Sequence, residues 1–176
     1  GGKNPGVVLM KVKNGEGTIY STNSGAFVAK KIKVYTKKKD GVYKLSKDEK
    51  NLKAKDGIDK LDDIFNEPLV GTLTVPDGIL KMGIKFAATP RMDTDLKDIT
   101  LDEVHNKLYA LSMGKQDPAR SQVYLGEISA PDVAIQINSK YILEAISGEK
   151  GDIKIGFPKE EKSRTVHFND NVVMVI

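Results

Sequence analysis

The chain has 176 residues, enough for one large domain or two small ones, with 39% hydrophobic and 30% charged residues, the balance of a water-soluble globular fold. It has no cysteine, which excludes disulfides and thiolate metal sites, and no apolar run long enough to span a bilayer. The net charge of +4 permits contact with nucleic acid without requiring it, while 6% aromatics and no tryptophan argue against a row of base-stacking platforms. No secretory signal pattern opens the chain, Gly1-Gly2 reads as a cloning remnant, and the cytoplasm is the expected compartment.

Taken in order, Gly6 to Val12 is a strongly apolar strand, KNGEG a glycine-rich hairpin turn, Thr18 to Thr22 the return strand, and Ala26 to Tyr35 a long third strand after a second turn. Residues 37–56 are basic and poor in apolar side chains. A phosphate-contacting loop is one reading, but Asp40, Asp48, Glu49 and Asp56 dilute the charge and favour a solvated hairpin tip, with a short strand at Val42 to Leu45. Ile58, Leu61, Ile64 and Phe65 fit a short amphipathic helix.

Leu69 to Val75 alternates, Pro76-Asp77-Gly78 is a turn, and Leu80, Met82, Ile84 and Phe86 alternate again; the pattern predicts a β-hairpin with Lys81 and Lys85 on its polar face. Asp93, Asp95 and Asp98 do not form a calcium loop, because Lys97-Asp98 stands where that loop needs its glycine. Thr100 and Glu103 form a capping box, and Leu101, Val104, Leu108 and Leu111 form a stripe that predicts a helix over 99–113, ended by Gly114, with His105 and Lys107 off the stripe. Gln122 to Ile128 reads as a strand.

Val133, Ile135 and Ile137 then alternate in a half-buried strand, and Asn138-Ser139 open a helix because their side-chain oxygens can accept free backbone N–H groups. Tyr141, Ile142, Ala145 and Ile146 continue it to Gly148, with Leu143 and Ile146 expected to bury inward. Ile153 to Phe157, Thr165 to Phe168 and Val172 to Ile176 are three further strands, so this quarter of the chain is β-α-β-β-β.

The words Ile137-Asn138-Ser139-Lys140-Tyr141-Ile142-Leu143-Glu144-Ala145-Ile146, the apolar strand at 153–157 and the closing strand at 172–176 resemble the repeated half-domain of DNA sliding clamps, most of all the last domain of the bacterial DNA polymerase III beta subunit. Thr22-Asn23-Ser24-Gly25, between two strands, resembles a second such half-domain, with Asn23 in place of the usual acidic residue and no helix ahead of the first strand. The segment from the helix at Thr100 through Arg120 to the strand at 122–128 resembles the opening of a third, but the two strands that should follow are missing. The resemblance implies an α+β fold of clamp-like β-α-β-β-β units, with two main helices on one face of antiparallel sheet. The chain divides into a β-rich part at 3–90, which carries the basic loop 37–56, and a second clamp-like part at 91–176.

No catalytic pattern is present: two histidines, no nucleophile elbow, no Walker loop and no GxGxxG, while Asp62-Asp63 and Glu160-Glu161 read as solvated neighbours. The chain therefore reads as a non-enzyme without cofactor or metal. The clamp resemblance implies a homo-oligomeric processivity factor that encircles duplex DNA without reading sequence and tethers a DNA polymerase or other replication protein. Contacts would be salt-dependent and made by Lys107, Lys140 and Lys150, expected on helices, and by Lys115 and Arg120 on a loop. The final strand, too apolar to stay bare, is expected to pair across a subunit edge. The alternative is a β-rich structural or interaction protein, including viral ones, assembling through sheet edges. An OB-type single-strand binder comes third, and a metabolic enzyme last.

Overall fold

The computed structural model describes residues 6–23, 28–45, 52–88, 98–112, 121–130, 132–160 and 162–176. The elements run β1 (Val8–Lys13), β2 (Glu16–Thr22), β3 (Val28–Tyr35), β4 (Gly41–Lys44), α1 (Leu52–Phe65), β5 (Leu69–Val75), α2 (Ile79–Ala87), β6 (Asp98–Val104), β7 (Lys107–Ser112), β8 (Gln122–Glu127), β9 (Ala134–Asn138), α3 (Ser139–Ile146), β10 (Ile153–Pro158), β11 (Thr165–Phe168) and β12 (Val172–Val175). This is the α+β, antiparallel, clamp-like architecture that the sequence implies.

From β5 onward the order is β-α-β-β-β twice: β5-α2-β6-β7-β8, then β9-α3-β10-β11-β12. The two halves exchange their first strands. One sheet is ordered β8-β7-β6-β9, and β5 pairs with β10 at the end of the other, ordered β4-β1-β2-β3-β12-β11-β10-β5. Exchange makes the two halves interdependent, because neither sheet is complete without a strand from the other. The repeat, which looks broken in the sequence, is therefore whole from residue 69 onward.

Two elements differ from the sequence reading, and together they account for the apparent break. Residues 79–87 are helix, not the second arm of a hairpin. A period of 2 and a period of 3.6 share the apolar positions Leu80 and Ile84, and the two differ at the rest. The helix buries Leu80, Gly83, Ile84 and Ala87, leaving Met82 and Phe86 59% and 56% exposed. Lys81 and Lys85 are therefore on α2. Residues 98–112 are a hairpin, not a helix. His105 and Asn106, with φ of 51° and 65°, form the two-residue turn that matches strand twist, and Ile99, Leu101, Leu108 and Ala110 face inward. Glu103 caps no helix; its carboxylate accepts the Asn106 amide at 2.8 Å inside that turn.

The third expected helix stands. Asn138 is its N-cap, its side chain accepting the Lys140 amide at 2.9 Å, and Ile142, Ala145 and Ile146 are buried, whereas Leu143 is only half-buried against the core. The amphipathic segment at 58–65 is the C-terminal part of the longer α1.

The main core gathers α2, α3 and the inner faces of β5 to β12, and it also takes Val28 from β3. A separate small cluster, Leu9, Tyr20 and Ile58 with Val7, Val42, Leu61 and Phe65 around it, sits between α1 and the N-terminal strands.

Candidate nucleic-acid interface

The helical side of the 69–176 unit is a layer made by α2 and α3, which pack on each other. Of the candidate DNA contacts, Lys140 is exposed in the first turn of α3, and Lys150 is exposed just past its end rather than on a helix. Lys107 is exposed at the start of β7, in the alternation set opposite the buried Leu108 and Ala110, and so on the sheet face away from α2. Lys115 and Arg120 lie outside the described residues, as do Asp93 and Asp95. Two further cations near the layer are tied to backbone: Lys81 donates to the Glu149 carbonyl at 3.3 Å, and Lys30 to the Glu144 carbonyl at 3.2 Å.

The N-terminal strands join this unit by main-chain pairing. β3 runs antiparallel to β12, with Val28 opposite Met174 and Lys30 opposite Val172, and the Lys31 amide donates to the Asn171 carbonyl at 2.9 Å. The last strand is thus interior, between β3 and β11, and not an exposed edge. Asn23 closes the loop before β3: its Oδ1 accepts the Val28 amide at 2.9 Å, and its Nδ2 donates to Glu144 of α3 at 3.3 Å. An amide fills both roles, which a carboxylate at this position could not.

Two polar clusters escaped the sequence reading. Glu67, in the α1–β5 connection, accepts from Ser163 at 2.7 Å, from Thr165, and from His167 Nε2 at 2.6 Å. Burial alone would push its carboxyl up, but the hydrogen bonds from His167, Thr165 and Ser163 and the His167 charge outweigh it and hold the group below the usual range. Asp62, read as solvated, accepts the Tyr20 hydroxyl and lies 3.6 Å from Lys11 Nζ. Burial, then the hydrogen bond and charge of Asp62, push the Tyr20 phenol up. Their partners are 42 and about 100 residues distant in sequence, so no local pattern announces them.

Among the described residues, no three His, Asp or Glu side chains are placed to hold a metal ion, and no helix is long and apolar enough to cross a membrane.

This is the fold of the bacterial sliding clamps: paired β-α-β-β-β halves joined edge to edge. It superposes on DNA polymerase III beta subunits from Borrelia burgdorferi (TM-score 0.70, 14% identity, covering 97% of this chain and 55% of that one) and Thermotoga maritima (0.67, 11%, 96% and 56%). It likewise superposes on the Helicobacter pylori beta clamp bound to a DNA ligase peptide (0.65, 13%, 96% and 56%). The chain spans little more than half the length of these structures. No family model and no curated protein matches the sequence.

Proposed function

We propose that the chain acts as a sliding-clamp-like processivity factor, a non-catalytic protein that encircles duplex DNA in the cytoplasm and tethers a DNA polymerase or another replication protein. The observation that carries this reading is the match of 96% of the chain to beta subunits, reinforced by the way its units join. β3 and β12 are each the last of three consecutive strands, and they pair with each other. β8 is the last strand of its own set and ends its sheet. A free third strand of this kind is where a further clamp unit would add, closing a homo-oligomeric ring through sheet edges.

In this reading Lys140 and Lys150, with Lys107, Lys115 and Arg120, cancel phosphate charge without reading bases. Each charge removed weakens binding uniformly across sequences and lowers the salt slope by about one unit. Lys107→Glu should have the smallest effect of the three described lysines, because it is on the face away from α2. With a net charge of only +4, retention has to be topological: the protein stays on closed circular duplex and slides off linear ends. Equal retention on circular and linear DNA, measured by gel filtration of labelled protein with each substrate, would refute the ring and leave an edge-assembling interaction protein.

A further inference from the structure

Three strand triplets recur in this chain: β1-β2-β3, β6-β7-β8 and β10-β11-β12. The third strands of two of them, β3 and β12, take each other in antiparallel pairing. The third strand of the other, β8, pairs with β7 on one side and has no strand on its other side among the described residues.

The backbone of β8 shows which groups face that open side. The Ser112 amide donates to the Ser121 carbonyl, so Ser121 turns its backbone toward β7. Strand groups alternate, so Val123 turns the same way, opposite Ala110. Gln122 and Tyr124 therefore turn their N–H and C=O groups to the open edge. Beyond Tyr124 a bulge interrupts the ladder. The edge lacks the usual guards against pairing: Gln122 and Tyr124 are uncharged, and 121–127 contains no proline. Val123 lies under α2, beside Gly83. Tyr124 is on the opposite sheet face, 49% exposed, and leans on Tyr109 with ring centroids 5.7 Å apart.

We propose that β8 pairs antiparallel with β8 of a second copy, about a two-fold axis at Val123. An antiparallel pair is related by a two-fold axis normal to its sheet, so a strand can pair with its own copy. Among the described residues ahead of the bulge, a centre at Val123 sets both edge-facing residues against edge-facing residues. Gln122 meets the partner's Tyr124, and Tyr124 meets the partner's Gln122. A centre at Tyr124 would instead carry Gln122 past the bulge to Gly126. The axis keeps the two sheet faces distinct, so both copies put their tyrosines on one side and α2 on the other. The helix layer then runs on from one copy to the next. This joint deepens the ring proposed above, and it rests on that reading for the idea that a unit adds at β8.

The chain has no cysteine, so a single one can be placed on the axis. Across the open edge Val123 faces its copy in a non-hydrogen-bonded pair, with Cα atoms about 4.5 Å apart, within disulfide reach. Under mild oxidation, Val123→Cys should cross-link into a dimer at least tenfold faster than Thr72→Cys, an exposed position on β5. Adding Gln122→Pro removes an edge-facing N–H and no bond to β7, and should return the rate to that of Thr72→Cys. Adding Tyr124→Lys, which sets a charge at the edge, should slow it several-fold. Circular dichroism of each variant checks that the fold is kept. Cross-linking no faster than in Thr72→Cys, or indifferent to both edge changes, overturns the proposal. So does a dimer, seen by light scattering, that Gln122→Pro leaves intact. Retention on closed circular DNA without cross-linking keeps the ring and removes this joint. Cross-linking with equal retention on circular and linear DNA keeps the joint and refutes the ring.

Discussion

The N-terminal strands and the 69–176 unit share one strand order but are packed differently. In the second, two helices share a layer and roof two sheets that exchange strands, and the buried core runs continuously from Leu73 to Met174. In the first, among the described residues, one helix rests on one face of β1 and β4 over a cluster of three buried side chains, Leu9, Tyr20 and Ile58. The difference shows that strand order alone does not make a clamp unit. The helix preceding each strand triplet supplies the apolar lid, and exchange of first strands locks the halves together. The N-terminal strands draw order instead from their neighbour, through β3 against β12 and Val28 in the larger core.

The sharpest test of that contrast is truncation in each core. Phe168→Ala, at a fully buried position, should cost about 3–5 kcal/mol in urea unfolding. Ile58→Ala, in the small cluster, should fall near the lower end of the range for such changes, about 2 kcal/mol. Its effect should be local: amides of α1 exchange faster while those of β10 and β11 keep their protection. Equal losses, or global acceleration of exchange by Ile58→Ala, would break the distinction.

A smaller effect is expected at the clasp between the units. Glu67→Gln leaves Thr165, Ser163 and His167 without their common carboxylate and should cost about 1–3 kcal/mol. Because folding lowers the Glu67 pKa from 4.5, its stabilisation is complete above that value and is lost as pH falls through the folded pKa. The wild-type acid limb should therefore be steeper than that of Glu67→Gln, and parallel limbs in pH-dependent thermal melts would remove the clasp from the account.

Tyr20→Phe should cost about 1 kcal/mol, the net worth of one hydrogen bond, here to Asp62. Folding raises the Tyr20 pKa above 10.0, so its contribution is whole below that pH and declines as pH rises past it. Alkaline unfolding should thus be less steep in Tyr20→Phe than in the parent, and the change should register in the N-terminal amides first.

Much of this architecture is legible in the sequence, and the misreadings have a common cause. The strands at 8–13, 28–35 and 172–175 declare themselves by their apolar and β-forming residues, that at 134–138 by alternation, and α3 by Asn138 and its apolar spacing. At 79–87 and 98–112 the apolar residues fall on positions that helix and strand share. Leu80 with Ile84, and Val104 with Leu108, are four apart, which suits either period. The deciding features are small: Gly83 on a buried helix face, and an asparagine able to hold positive φ in a two-residue turn. The polar clasp was beyond reach, since Glu67 and His167 meet only after β5 and β11 are brought to the two sides of β10.

The smallest expected effect tests the hairpin at that turn. Asn106, with φ of 65°, is in the left-handed region, where glycine is at ease, asparagine tolerated and β-branched residues strained. If residues 98–112 are a hairpin, Asn106→Gly should change stability by no more than about 0.5 kcal/mol, whereas Asn106→Val should cost about 1–3 kcal/mol from the strained backbone. A helix through these residues would reverse the order, because glycine inside a helix costs about 1 kcal/mol against alanine and valine costs less. Thermal melts of the two variants side by side decide the sign, and with it whether β6, β7 and β8 complete the first half of the repeat.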